Sequence, residues 1–121
     1  MATGFFYGAI AVLWLAVISV SDAAAAEAIL FNRDIRPILT ENCFPCHGPD
    51  SAARKAGLRL DRRESAVKHG AIVPGKPDES ELVSRVFAAD PADRMPPLVS
   101  HKTLTTAQKD LLRRWIAAGA E

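Results

Sequence analysis

The sequence predicts an all-α, loop-rich domain built from short helices, and three features of the chain support this. Apolar residues recur at helical spacing near both ends of residues 27–121. Stretches rich in proline and glycine separate the helical patterns, and strands and helices do not alternate along the chain. We therefore expect one domain over residues 27–121, with loops connecting helices of a few turns each.

Length and charge narrow the class of protein. The chain has 121 residues and a formal net charge of +1, which suits one small domain and disfavours a dedicated nucleic-acid binder. Residues 27–121 hold all 15 Lys and Arg and 13 of the 14 Asp and Glu, a formal charge of +2. Residues 1–26 are mostly apolar, and Asp22 is their only charged side chain. The two parts therefore differ in composition, since the first is apolar and the second carries nearly all of the charge.

The apolar start has the pattern of an export signal. A run over residues 5–20 gives way to polar residues and then to the alanine run 23–26, so we expect a signal peptide over residues 1–26, cleaved after Ala26. An uncleaved membrane anchor is the alternative, although 16 residues at about 1.5 Å each span about 24 Å, short of the roughly 30 Å hydrocarbon core. Both interpretations place residues 27–121 outside the cytoplasm, in the periplasm or another extracytoplasmic space. Membrane contact is expected only if residues 5–20 remain as an anchor.

The first helix is predicted from a single apolar face. Asp34 is expected to cap its start, Pro37 to lie in its first turn, and Asn42 to lie near its end. The residues of the apolar face are Phe31, Ile35, Ile38 and Leu39.

Two short helices are predicted in the middle of the chain. Asp61 and Asp78 each stand three residues before a glutamate, so a helix is expected after each aspartate. The second of these helices is expected to bury Leu82, Val83, Val86 and Phe87.

The last helix has the clearest start signal. Thr105 and Gln108 form a capping-box pattern, and the helix is expected to stop at Gly119. Its apolar stripe consists of Leu111, Leu112, Trp115 and Ile116.

The two cysteines of the chain lie in the segment Cys43-Phe44-Pro45-Cys46-His47. This C-x-x-C-H spacing is typical of covalent attachment of a c-type haem. The spacing lets both sulfurs reach the vinyl-derived carbons on one side of the porphyrin, and the next residue then projects its imidazole beneath the iron. Cys43 and Cys46 are therefore the candidate cofactor-binding residues, and His47 is the candidate proximal iron ligand. Gly48 would let the backbone pass close to the macrocycle.

Two other kinds of site can use cysteines at this spacing. A disulfide or dithiol redox centre would use Cys43 and Cys46 alone, but a thioredoxin-like site expects a βαβ context that this chain lacks. A zinc site needs further ligands, and His69 and His101 stand at spacings that match no common zinc finger. Export favours the haem interpretation, because this covalent attachment takes place after translocation.

Met95 is the candidate distal iron ligand. It is the only methionine of residues 27–121 and lies in Arg94-Met95-Pro96-Pro97, where the prolines stiffen the loop. A lone methionine is often core filler, but its charged and proline-rich neighbours suit that role poorly. His69 and His101 are the alternative ligands. A thioether ligand favours the reduced iron and raises its potential relative to two imidazoles.

These motifs resemble the cytochrome c superfamily, and more narrowly the planctomycete-type cytochrome c domain. The segments that carry the resemblance are 31–50 (FNRDIRPILTENCFPCHGPD), 58–61 (LRLD), 72–77 (IVPGKP), 94–97 (RMPP) and 104–121 (LTTAQKDLLRRWIAAGAE). The resemblance implies a cytochrome c fold, in which short helices surround one covalently bound haem and the first and last helices cross. It assigns the thioether positions to Cys43 and Cys46, the proximal ligand to His47 and the distal ligand to Met95.

The expected function is that of an exported single-haem c-type cytochrome domain. It would carry one electron at a time through a His/Met-ligated iron, with one haem c as cofactor and redox proteins as partners, and it would not be an enzyme by itself. Two alternatives remain at this point. One is a haem-based sensor or small-ligand-binding module, and the other is an accessory electron-transfer domain of a larger oxidoreductase.

Overall fold

The computed structural model describes residues 3–4 and 27–121. Five α-helices lie in this part of the chain: α1 (Arg36–Asn42), α2 (Phe44–His47), α3 (Arg63–Lys68), α4 (Glu81–Val86) and α5 (Thr106–Ala117). A π-helical turn (Phe31–Ile35) runs into α1, and two 3₁₀ turns, Pro77–Glu79 and Leu98–Ser100, lie in the loops. The described residues contain no strand, so the all-α, loop-rich prediction is confirmed.

The predicted signal peptide lies outside the described residues, apart from residues 3–4. Within the part of the chain that is described, no helix combines the length and the apolar character needed to cross a membrane.

The core forms where the first and last helical segments pack together. Ile35 and Leu39 of the first segment and Leu112 and Ile116 of α5 are fully buried. At one edge of this contact the rings of Phe31 and Trp115 lie 5.6 Å apart between centroids. Burial of these side chains is the main stabilising interaction between the two ends of the domain. The predicted apolar faces of both helices are therefore confirmed.

Helix α5 begins with the predicted capping box. The Thr105 hydroxyl oxygen accepts a hydrogen bond from the Gln108 N–H at 3.1 Å, and the Gln108 carboxamide oxygen accepts one from the Thr105 N–H at 2.9 Å. The pair satisfies two of the N–H groups that a helix start leaves without partners. The helix ends at Ala117, and Gly119 follows with a φ of +113° that favours glycine.

The predicted cap at Asp34 is wrong. Asp34 lies inside the π-helical turn, where its carboxylate accepts a hydrogen bond from the Leu30 N–H at 2.8 Å. The neighbouring Arg33 guanidinium also binds this carboxylate and lowers its pKa to about 2. The turn therefore begins before Asp34. The expected end of α1 at Asn42 and the position of Pro37 in its first turn are confirmed.

The predicted caps at Asp61 and Asp78 are also wrong, although a helix follows each of them. Asp61 forms an ion pair with Arg59 at 2.6 Å, and Asp78 lies within the 3₁₀ turn that precedes α4. Helices α3 and α4 begin after Arg62 and Ser80, and neither residue caps its helix with its side chain. The Arg59 guanidinium takes the Asp61 carboxylate, and Asp78 lies in a turn that ends before α4 begins.

Phe87 departs from the predicted burial of α4. Leu82, Val83 and Val86 are buried as expected, but Phe87 is 38% exposed. Phe87 follows the last residue of α4, and the Arg113 guanidinium lies 4.4 Å from the centroid of its ring. The exposed ring is therefore covered in part by a cation on α5 rather than by the core.

Ser80 is the only buried polar residue among the described residues, with 2% exposure. Its hydroxyl oxygen accepts a hydrogen bond from the Val73 N–H at 2.8 Å and donates one to the Lys76 carbonyl at 2.9 Å. The side chain thus ties the Pro/Gly-rich loop to the start of α4. Since a buried unpaired N–H group is costly, this hydroxyl is a stabilising element of the fold.

Replacing Ser80 with alanine tests this role. We expect Ser80→Ala to lower the free energy of unfolding by about 1–3 kcal/mol, because the Val73 N–H loses its partner. Denaturant unfolding followed by circular dichroism measures the change. The matched control is Ser84→Ala on the exposed face of α4, which we expect to change stability by less than about 0.5 kcal/mol. Equal effects of the two substitutions would contradict the assignment.

Candidate functional site

The C-x-x-C-H segment folds as a single helical turn. The N–H groups of Cys46 and His47 both donate to the carbonyl oxygen of Cys43, at 3.2 and 2.8 Å. Residues separated by three and four positions lie on the same face of a helix. The turn therefore presents the two thiols and the imidazole on one side of α2. Pro45 lies near the start of the turn, where its missing N–H removes no helical bond.

Gly48 ends this turn by close packing against it. A Cβ at position 48 would overlap the carbonyl oxygen of Phe44. The sequence predicts that this glycine lets the backbone pass close to a macrocycle. The structure adds a reason within the polypeptide, since the chain leaves α2 too close to its own backbone to admit a side chain.

The chain after Gly48 folds back onto the end of α2. The Lys55 N–H donates to the Cys46 carbonyl and the Leu60 N–H donates to the His47 carbonyl, both at 2.8 Å. These bonds satisfy carbonyl groups that a short helix leaves open. Side chains alternate in direction along the returning segment. Leu58 and Leu60 line the cavity, whereas Arg59 lies on the other side and pairs with Asp61.

All four predicted site residues line one cavity. The cavity has a volume of about 660 Å³, and Cys43, Cys46, His47 and Met95 all contribute to its lining. The volume is in the range of about 300–1,000 Å³ that is usual for pockets of small ligands and cofactors. Residues 43–47 and residue 95 are far apart in the sequence, so the fold brings them together.

The two alternative histidines differ in position. His69 also lines the cavity, and its Nδ1 lies 2.8 Å from the Ser65 carbonyl oxygen. That contact holds the ring at the end of α3. His101 is exposed and does not line the cavity.

The apolar wall of the cavity was missed by sequence reasoning about the site. It is formed by side chains of four separate segments: Leu58, Leu60, Ala71, Leu82, Val86 and Pro97. The alternation in residues 58–61 and the apolar stripe of α4 were visible in the sequence. Nothing in the sequence indicates that these side chains line one cavity, because that depends on contacts between distant parts of the chain.

His47 carries an unsatisfied polar atom. Its Nδ1 is buried and has no hydrogen-bond partner among the described residues. Buried polar atoms of proteins are nearly always paired, so an unpaired one marks a place where a further group completes the site. Together with two thiols, a thioether and an apolar wall, the imidazole makes a donor set that fits a haem.

The environment of Cys43 argues against a dithiol redox centre. Burial raises the pKa of the Cys43 thiol to about 11, with a smaller contribution from the neighbouring Cys46. A reactive redox cysteine needs the opposite, a thiolate stabilised at neutral pH. The zinc alternative also lacks support, because the described residues contain no group of three or more His, Cys, Asp or Glu side chains that could hold a metal ion.

Met95 is held by its main chain. Its N–H donates to the carbonyl oxygen of Arg85 at 3.1 Å, which ties the methionine to the end of α4. Pro96 and Pro97 follow it along the cavity lining. The side chain is 37% exposed, so Met95 is not a core-filling residue.

The lining of the cavity carries a positive charge. Lys55, Arg85 and Lys102 contribute cations, and Glu81 contributes one carboxylate, which the Arg85 guanidinium binds at 2.8 Å. A mostly apolar cavity with an excess of cations suits an apolar group that bears carboxylates, as a haem does.

The comparison with protein families agrees with this site. Residues 43–98 match the family described as Planctomycete cytochrome C, and this segment includes all four candidate ligands and attachment residues. No curated protein and no solved structure gave a significant match to the chain. The family match indicates a haem c domain and an electron carrier rather than a catalyst. The resemblance predicted from the sequence is confirmed for residues 43–98, which match the planctomycete-type cytochrome c domain.

Proposed function

We propose that this chain is an exported single-haem c-type cytochrome that carries one electron at a time. The observation that carries the proposal is the convergence of Cys43, Cys46, His47 and Met95 on one apolar cavity within the matched segment. Cys43 and Cys46 would hold the haem through thioether bonds, and His47 and Met95 would ligate its iron. When bound, the haem supplies an iron that alternates between ferrous and ferric states.

The protein's own residues would set the environment of that iron. Leu58, Leu60 and Leu82 give the cavity an apolar wall, and an apolar site with a thioether ligand favours the reduced form. Lys55 and Lys102 would attract the carboxylates of the group. Neither His47 nor Met95 has to leave the iron when an electron is transferred, so the cost of reorganisation would be small.

Redox proteins are the proposed partners, and export is the proposed route to them. The composition of residues 1–26 supports export. Accessory electron transfer within a larger oxidoreductase is a variant of the same proposal, because it uses the same cavity and ligands.

A haem-based sensor is the second candidate, and the position of Met95 outside the helices is the observation that favours it. A ligand carried by a loop is more easily displaced by a small molecule than one carried by a helix. A five-coordinate, high-spin ferric spectrum in the wild type would select the sensor.

Attachment is tested by extraction with acid acetone. We expect wild-type haem to stay with the polypeptide, because two thioether bonds hold it. Cys43→Ser or Cys46→Ser should each leave one bond, and the double variant should release its haem completely. Intact mass of the secreted protein should show one added haem and the loss of residues 1–26. Extractable haem in the wild type would contradict covalent attachment.

Ligation by Met95 is tested by absorption of the ferric protein. We expect the wild type to show the long-wavelength thioether charge-transfer band, and Met95→Ala to lose this band and to lower the reduction potential. His69→Ala and His101→Ala are the matched controls, since one residue lines the cavity and the other does not. Retention of the band in Met95→Ala, or its loss in His69→Ala, would contradict the assignment.

The contribution of the haem to folding is tested with the double variant Cys43→Ser/Cys46→Ser prepared without haem. The 660 Å³ cavity has mostly apolar walls, so its side chains lose their packing partners when the group is missing. We expect most of the helical circular dichroism to be lost. A haem-free variant with full helical signal would show that the polypeptide core alone supports the fold.

A further inference from the structure

Two loops of this domain share one arrangement, and each adjoins a candidate iron ligand. Residues 48–54 directly follow His47, and residues 88–94 directly precede Met95. Both loops are seven residues long, with an aspartate at the third position, an alanine at the fifth and an arginine at the seventh. The sequences are otherwise different, so the shared positions point to a shared conformation.

The aspartate plays the same part in both loops. Asp50 accepts a hydrogen bond from the Ala52 N–H at 3.0 Å, and Asp90 accepts one from the Ala92 N–H at 2.9 Å. Each carboxylate thereby closes a turn at the tip of its loop.

The arginine also plays the same part in both loops. Arg54 donates from Nε to the carbonyl of residue 48 and from Nη2 to that of residue 49, both at 3.1 Å. Arg94 donates from Nε to the carbonyl of residue 88 at 3.2 Å and from Nη2 to that of residue 89 at 2.9 Å. A planar guanidinium donates in a fixed fork, so each arginine fastens the end of its loop to the beginning.

Arg94 does not line the cavity, and its guanidinium is engaged by backbone carbonyls instead. It therefore acts on the loop rather than on a ligand. The next residue is Met95, whose N–H is already bound to the Arg85 carbonyl at 3.1 Å. The Arg94 side chain thus fastens the loop that leads to Met95, and the Met95 main chain is itself bound to α4.

We propose that Arg94 is a positioning residue that keeps the Met95 sulfur in place at the sixth position of the iron. The inference rests on the proposed function, in which Met95 is an iron ligand. Arg54 is the built-in comparison, because it fastens an equivalent loop beside His47, a residue that the covalent attachment of its cysteine neighbours already holds. Loss of Arg54 would therefore disturb a loop without releasing a ligand.

The test uses secreted holoprotein in the ferric state and imidazole as a competing ligand. Imidazole binds when the thioether leaves, so the apparent affinity reports how often Met95 is displaced. Loss of the thioether charge-transfer band gives the titration curve. We expect Arg94→Gln to raise the apparent imidazole affinity at least about tenfold, because two charge-assisted hydrogen bonds to the loop are removed. Arg54→Gln should change it by less than about twofold.

Three results decide whether Arg94 positions Met95 and whether Met95 ligates the iron. A tenfold rise in Arg94→Gln with little change in Arg54→Gln supports the proposal. Equal effects of the two substitutions, or none in Arg94→Gln, overturn it while leaving ligation by Met95 intact. A wild type that lacks the charge-transfer band and matches Met95→Ala overturns the ligation itself.

A second variant covers the case in which Arg94→Gln is not recovered with haem. Arg94→Lys keeps the charge, but an ammonium group lacks the planar fork that reaches two carbonyls. We expect Arg94→Lys to raise the imidazole affinity above that of the wild type. An affinity within about twofold of the wild type would overturn the proposal.

Discussion

The hydrogen bonds to one carbonyl oxygen organise the candidate site. The Cys43 carbonyl accepts from both Cys46 and His47, and this pair of bonds gathers two sulfurs and an imidazole on one side of a single helical turn. A turn of four residues has little stability by itself. It is held at its start by α1, which leads into it, and at its end by the returning chain, whose Lys55 and Leu60 N–H groups donate to the last carbonyls. The positions of the two sulfurs and the imidazole are therefore defined by backbone hydrogen bonds within this turn and from the chain that returns to it.

In the rest of the domain, hydrogen bonds from side chains to the backbone fix the conformation of the loops. Such bonds occur at several places in the described residues. Ser80 ties the Pro/Gly-rich loop to α4, and Arg63 donates to the carbonyls of residues 119 and 120, which follow α5 in the sequence. Arg54 and Arg94 fasten the loops beside the cavity. Such bonds are local and polar, so they define loop shape, whereas the π-helical turn, α1 and α5 contribute six of the fifteen buried side chains of the hydrophobic core.

Many of the helices and the attachment motif were predictable from the sequence, and the predictions that were wrong have physical causes. The apolar faces and the capping box of α5 follow from periodicity and from residues three positions apart, so the sequence contains all the information they need. The caps at Asp34 and Asp61 failed because an arginine neighbour binds each carboxylate, whereas Asp78 lies inside a 3₁₀ turn that precedes the helix. Phe87 lay on a predicted buried face, yet α4 ends before it. The attachment motif needed no tertiary information, but the cavity wall depends on contacts between segments that local patterns do not report. The repeated Asp-x-Ala-x-Arg spacing at residues 50–54 and 90–94 was visible in the sequence, and its meaning required the hydrogen bonds.

The distinction between an electron carrier and a ligand-binding module lies in the loop before Met95 rather than in the attachment site. Both functions would use the same cysteines, the same imidazole and the same apolar wall. They differ in how firmly the sixth position is held, and a thioether on an untied loop would exchange readily. In this domain the loop is short, and its two ends are joined through Arg94. The methionine that follows is bound to α4 through its own N–H. These bonds would help to keep the sulfur in place, so residues 88–94 are the segment in which a change would most directly convert one function into the other.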